Sequence, residues 1–143
     1  MYSAILASVL IAVSVPAMAQ MTPVGVWRSI DDKTEQPKAE IRISADANGV
    51  LSGVVEKALA PSEQPNCELC TDERKGKPKL GMEIIRGAKK TDGTTQWEGG
   101  KILDPENGKE YNLRLTPLDG GKKLEVRGYI AFFYRNQTWI RVQ

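Results

Sequence analysis

Apolar and polar positions alternate along most of this chain in short runs, and each run is cut off by turn residues. Residues 39–44 are the clearest case, with Ile41 and Ile43 on one face and Glu40 and Arg42 on the other. That is the two-residue period of a half-buried strand. The same reading covers residues 24–31, 50–58, 81–89, 95–103, 109–116, 122–130 and 137–142, so eight strands are predicted. Tyr111, Leu113 and Leu115 share one face of the sixth, and Leu124, Val126, Gly128 and Ile130 share one face of the seventh. The connections carry turn chemistry: Asp46-Ala47-Asn48-Gly49, Thr91-Asp92-Gly93, Asp104-Pro105-Glu106-Asn107-Gly108 and Asp119-Gly120-Gly121. Gly53 inside the third run predicts a bulge or bend. Phe132-Phe133-Tyr134 reads as a short connection. No stretch has a long helical period. The pattern predicts an all-β protein, one antiparallel sheet rolled into a barrel or packed as a sandwich.

The N-terminal segment does not follow this pattern. Ile5 to Val15 is apolar apart from Ser8 and Ser14, no charge precedes Arg28, and Ala17-Met18-Ala19 follows Pro16. This reads as a signal peptide over 1–19 cleaved after Ala19, although no Lys or Arg supplies the usual basic start. The run falls short of the roughly 20 apolar residues of a spanning helix. The expected product is a single domain, 20–143, exported to the periplasm or secreted, with no stable membrane insertion after cleavage.

Composition narrows the chemistry. The chain has no histidine, which removes Ser-His-Asp and Cys-His catalysis and the His-based zinc and iron sites. With 20 basic and 18 acidic residues, the balance argues against nucleic acid as a partner. Carboxylates are plentiful, but Asp104 and Glu106 sit in a turn, where Asp bonds to backbone.

One connection is long, residues 59–79, and it holds three prolines, Cys67, Cys70 and the basic run from Arg74 to Lys79. A structural disulfide shaping the loop is the default in an oxidising compartment. A redox-active pair would need a helix N-terminus in a βαβ setting. A zinc site would need further ligands that the chain lacks. The basic run reads as a solvated loop rather than a binding patch.

Two further stretches carry a resemblance: residues 97–111, WEGGKILDPENGKEY, and Leu124-Glu125-Val126-Arg127-Gly128-Tyr129-Ile130 running on to Arg135-Asn136-Gln137-Thr138-Trp139. With Gly25-Val26-Trp27 and the Cys67-Glu68-Leu69-Cys70 loop, they resemble the bacterial family called domain of unknown function 2147. The resemblance spans essentially the whole of 20–143 and implies a small exported protein with an eight-stranded antiparallel lipocalin-like, calycin-type β-barrel. Ala131 departs from the pattern, where a second glycine is expected after Arg-Gly-Tyr-Ile. In such barrels a Gly-x-Trp opens the first strand and a basic residue from the last strand stacks across the ring. The resemblance therefore implies barrel closure by Trp27, Trp139 and Arg141, with Arg141 over Trp27 and Arg135 as the second candidate.

An eight-stranded barrel can be packed solid or hold one small ligand. The expected inward, ligand-binding positions are Ile43, Trp97, Tyr111, Leu113 and Leu115, joined by Arg127 and Tyr129 if a bulge inverts their strand. The resulting expectation is a non-enzymatic binding protein for a small, largely apolar molecule, without cofactor or metal. The alternatives are an envelope-interaction or inhibitor protein acting through the 59–79 loop, and a thiol redox protein. A homodimer or an envelope protein is the expected macromolecular partner.

Overall fold

The computed structural model describes residues 10–12 and 21–143; the export segment expected over 1–19 lies outside them apart from 10–12. Eight strands follow in order: β1 (Gly25–Ile30), β2 (Pro37–Ala45), β3 (Leu51–Ala58), β4 (Glu83–Lys90), β5 (Trp97–Asp104), β6 (Lys109–Leu118), β7 (Lys123–Ile130) and β8 (Phe133–Arg141). Each pairs antiparallel with the next, and β8 returns to β1, so the sheet is a closed up-and-down barrel. Closure satisfies the edge strands that an open sheet would leave exposed.

Turn chemistry places the hairpins as expected. The Asp46 carboxylate accepts from the backbone N–H groups of Asn48 (2.8 Å) and Val50 (3.0 Å). The Asp104 carboxylate accepts from Glu106 N (2.9 Å), and its carbonyl accepts from Gly108 N (2.8 Å). The β3–β4 register shifts at Gly53/Val54, where the sequence predicts a bulge. One connection differs from its expectation. Only Ala131 and Phe132 make the β7–β8 turn, while Phe133 and Tyr134 begin β8. The tight turn is possible because Ala131 adopts a positive φ of 51°.

Interior side chains fall into two halves. At the end holding the β2–β3, β4–β5 and β6–β7 turns, Trp27, Ile43, Leu51, Leu113, Leu115 and Leu124 are at most 2% exposed and pack solid. Gly100 is required between β4 and β5, because a Cβ there would lie 2.5 Å from Arg86 O and 2.6 Å from Ala88 N.

The floor of the barrel is tied by one cation. Arg141 stacks on the Trp27 ring, Cζ to centroid 4.2 Å. Its Nε donates to Gly121 O (2.5 Å), Nη1 to Val24 O (2.9 Å) and Nη2 to Thr22 O (2.6 Å). Trp27 is fully buried and donates from Nε1 to Pro23 O at 2.7 Å. One guanidinium thus joins the N-terminal segment, the β6–β7 turn and the last strand. Burial lowers the guanidinium pKa, but the group stays charged at any ordinary pH.

Replacing it should be costly. Arg141→Gln removes the cation–π contact and most of these charge-assisted bonds, and is expected to destabilise the barrel by about 2–4 kcal/mol. Arg141→Lys keeps the charge without the planar fork and should fall between the two. Urea unfolding checks both; equal stability of Arg141→Gln and wild type would remove this contact from its role.

Candidate functional site

Above the packed floor the barrel is hollow. A cavity of about 600 Å³ opens at the end that holds the β1–β2, β3–β4 and β7–β8 connections and the β5–β6 turn. Ile41, Val55, Ile102, Tyr111, Val126 and Trp139 line it with apolar surface, and Ser29 and Gln137 bring polar atoms into it. Ser29 Oγ donates to Ala39 O (3.3 Å), and Trp139 Nε1 donates to Gln137 Oε1 (3.0 Å). Tyr111 Oη accepts from Asn107 Nδ2 at 3.2 Å. Largely apolar walls with a few oriented polar groups are the usual make-up of a small-molecule pocket, and the volume lies in its range of roughly 300–1,000 Å³.

The positions expected from sequence divide by depth. Tyr111 lines the cavity. Ile43, Trp97, Leu113 and Leu115 are buried inside the barrel but belong to the packed lower half and do not line it. Trp97 also lies under Lys90 Nζ, 5.9 Å from the ring centroid.

Arg127 and Tyr129 require a correction. β7 pairs with β6 and with β8 without a register shift, so no bulge inverts it. Gly128 and Val126 line the cavity, which puts Arg127 and Tyr129 on the outer face by alternation. There Arg127 Nε donates to Asn136 Oδ1 (2.8 Å) and the guanidinium covers the Tyr134 ring at 4.5 Å. Of the closure residues, Trp27 and Arg141 form the floor, whereas Trp139 lies above it as part of the cavity wall. Arg135, weighed as a partner for Trp27, is at the mouth instead. Sequence reasoning missed Arg135 and Gln137 as lining residues. Their signal was the same two-residue period that links Trp139 to Arg141.

The long β3–β4 connection is strapped to the barrel beside the mouth. Cys67 and Cys70 form a disulfide, and both are buried to within 1% of complete. The strap lies on the β5–β6 turn, where Gly108 is obligatory: its φ is 72°, and a Cβ there would collide with Leu69 O. Arg74 departs from the solvated loop expected of the basic run. It is 5% exposed, with Nη2 bonded to Asp72 Oδ2 (2.5 Å) and Glu110 Oε2 (3.0 Å), and Nη1 to Glu83 O (2.8 Å). Bonding to Arg74 holds the Asp72 carboxyl at about 2, against an ordinary 3.8. Nearby, Arg86 pairs with Glu73 (2.6 Å) and Glu83 (2.5 Å). Among the described residues, no group of His, Cys, Asp or Glu is arranged to hold a metal ion.

Comparison with known proteins agrees with this architecture. Residues 25–141 match the family described as "Uncharacterized protein conserved in bacteria (DUF2147)", and the chain belongs to that family. Among solved structures, the barrel is similar to a Helicobacter pylori protein described as belonging to the lipocalin family. The TM-score is 0.72 at 16% identity, over 87% of this chain and 85% of that one. No curated protein sequence matches the chain.

The strap should respond to acid and to reduction. The lowered Asp72 value stabilises the fold in full above about 3.8, and this contribution is lost as pH falls through about 2. With solvent screening the expected size is about 1 kcal/mol. Asp72→Asn should therefore flatten the acid limb of a stability–pH curve between those values. A ring closed by a three-residue separation contributes about 2 kcal/mol or less by chain entropy. A Cys67→Ser, Cys70→Ser variant should accordingly stay folded with a melting temperature lower by several degrees. Unfolding of the whole barrel on reduction would contradict that assignment.

Proposed function

We propose that this member of the bacterial family is an exported, periplasmic, non-enzymatic lipocalin-like protein that carries one small, largely apolar ligand in its lumen. The cavity above the floor is the observation that carries this reading. Aromatic and aliphatic walls supply non-directional affinity, since apolar burial contributes roughly 25 cal/mol per Å². Ser29, Tyr111 and Gln137 supply orientation. The sulfurs of Cys67 and Cys70 are too buried for easy thiol attack, which disfavours a redox role.

A second reading has its own observation. Phe132 and Phe133 at the β7–β8 turn are 98% and 82% exposed, an apolar tip of the kind used in protein or envelope contacts. Phe132→Ser with Phe133→Ser should then abolish partner recovery while leaving ligand binding in the lumen intact.

The carrier reading predicts that an uncharged apolar fluorophore, N-phenyl-1-naphthylamine, binds with one-to-one stoichiometry and quenches Trp139, the cavity-lining tryptophan. Val126→Phe, which fills the middle of the cavity, should weaken that binding at least tenfold with the fold retained. Undiminished binding to Val126→Phe would place the probe outside the lumen and overturn the reading.

A further inference from the structure

The barrel wall is not equally closed all the way round. β7 and β8 pair from Lys123↔Ile140 to Ile130↔Phe133, the full length of both strands. β8 and β1 pair at Trp27↔Arg141 and Arg28↔Ile140, and Val26 is bonded to the backbone of Val142 and Gln143, all next to the floor. Above that point, toward the mouth, no further backbone pairing joins β1 and β8 among the described residues. Side chains bridge the gap there. Arg135 Nε bonds to Asp32 Oδ2, and Gln137 Nε2 reaches the same oxygen at 3.5 Å. Asp32 belongs to the β1–β2 loop, so one carboxylate clasps that loop to the inner face of β8 across the seam.

Its neighbour Asp31 is otherwise committed. The Asp31 carboxylate accepts from the backbone N–H groups of Lys33 and Thr34, both at 2.8 Å. Those bonds hold its pKa below the ordinary value and keep the loop in shape. Across the mouth, Lys79 is also committed, its ammonium bonded to Glu106 at 3.2 Å. Arg135 and Lys79 both line the cavity and each pairs with one carboxylate on a turn or loop, but the Arg135 side chain is 57% exposed against 12% for Lys79, which leaves its pair the more open to exchange.

Resting on the carrier reading, we propose that the β1–β8 seam is the ligand gate, and that the ligand is an amphiphile with an anionic, carboxylate-like head. The apolar tail lies between Ile41, Val126 and Trp139. The head replaces Asp32 on the Arg135 guanidinium, and Gln137 donates its second bond to it. Exchange of one carboxylate for another keeps the Arg135 charge paired, and because the pair is solvent-exposed the exchange costs little. Release of Asp32 frees the β1–β2 loop, so binding the head and opening the seam are one event. A guanidinium fork recognises a carboxylate with two parallel bonds and has no comparable use for a hydroxyl.

The test displaces N-phenyl-1-naphthylamine from the lumen with hexadecanoate and, separately, with hexadecan-1-ol. In the wild type the carboxylate should compete at least tenfold more tightly than the alcohol. Arg135→Gln should abolish that difference by weakening the carboxylate alone. Asp32→Asn, which removes the internal competitor, should tighten the carboxylate severalfold and leave the alcohol unchanged. Both substitutions alter an exposed pair, so the melting temperature should hardly move. Equal competition by acid and alcohol in the wild type, or a preference that survives Arg135→Gln, would overturn the head-group assignment while leaving the apolar carrier intact. Failure of the fluorophore and of both competitors to bind would overturn the carrier reading and this inference together.

Discussion

The stacking of Arg141 on Trp27 is the constraint on which the barrel depends. An eight-stranded sheet closes only if its last strand finds its first, and here the two strands share very little backbone pairing. The guanidinium makes up the deficit by binding carbonyls from the N-terminal segment and the β6–β7 turn while covering the indole. Because the group is partly buried, those bonds are stronger than they would be in water. The same feature fixes the polarity of the molecule: the floor is at this end, and any opening has to be at the other.

What lies at the other end follows from that asymmetry. The lower lumen is filled by Trp27, Ile43, Leu113, Leu115 and Leu124, while the upper lumen is left hollow. The long β3–β4 connection does not block the mouth, because Arg74 and the Cys67–Cys70 disulfide hold it against the β5–β6 turn. Rigidity is therefore placed beside the cavity, and the seam between β1 and β8 is left as the weakest part of the wall. A carrier needs both properties, a preformed pocket and a limited place where it opens.

Much of the fold was legible in the sequence because its signals are local. Alternation located all eight strands, Asp- and Gly-rich segments located the turns, and the two-residue period put Trp139 and Arg141 on one face. The binding site was less legible. Ile43, Trp97, Tyr111, Leu113 and Leu115 all read as inward, yet only Tyr111 reaches the cavity. A period of two reports which face a residue takes and carries no information about its height along the barrel axis. Starting the last strand at 137 also hid Arg135, although it continues the same alternation.

The family resemblance implied a barrel closed by Arg141 over Trp27, while the sequence by itself determined an all-β chain of eight strands with one long cysteine-containing loop. Those are consequences of short-range patterning and of residue chemistry that needs few partners. Only the tertiary structure decided which inward residues pack and which line a space, since strand stagger sets depth. It also decided that β7 keeps its register, so that Arg127 faces out and Arg135, one strand later, faces in. Likewise, the pairing of Asp32 with Arg135 joins residues far apart in sequence, and nothing short of the closed barrel brings them together.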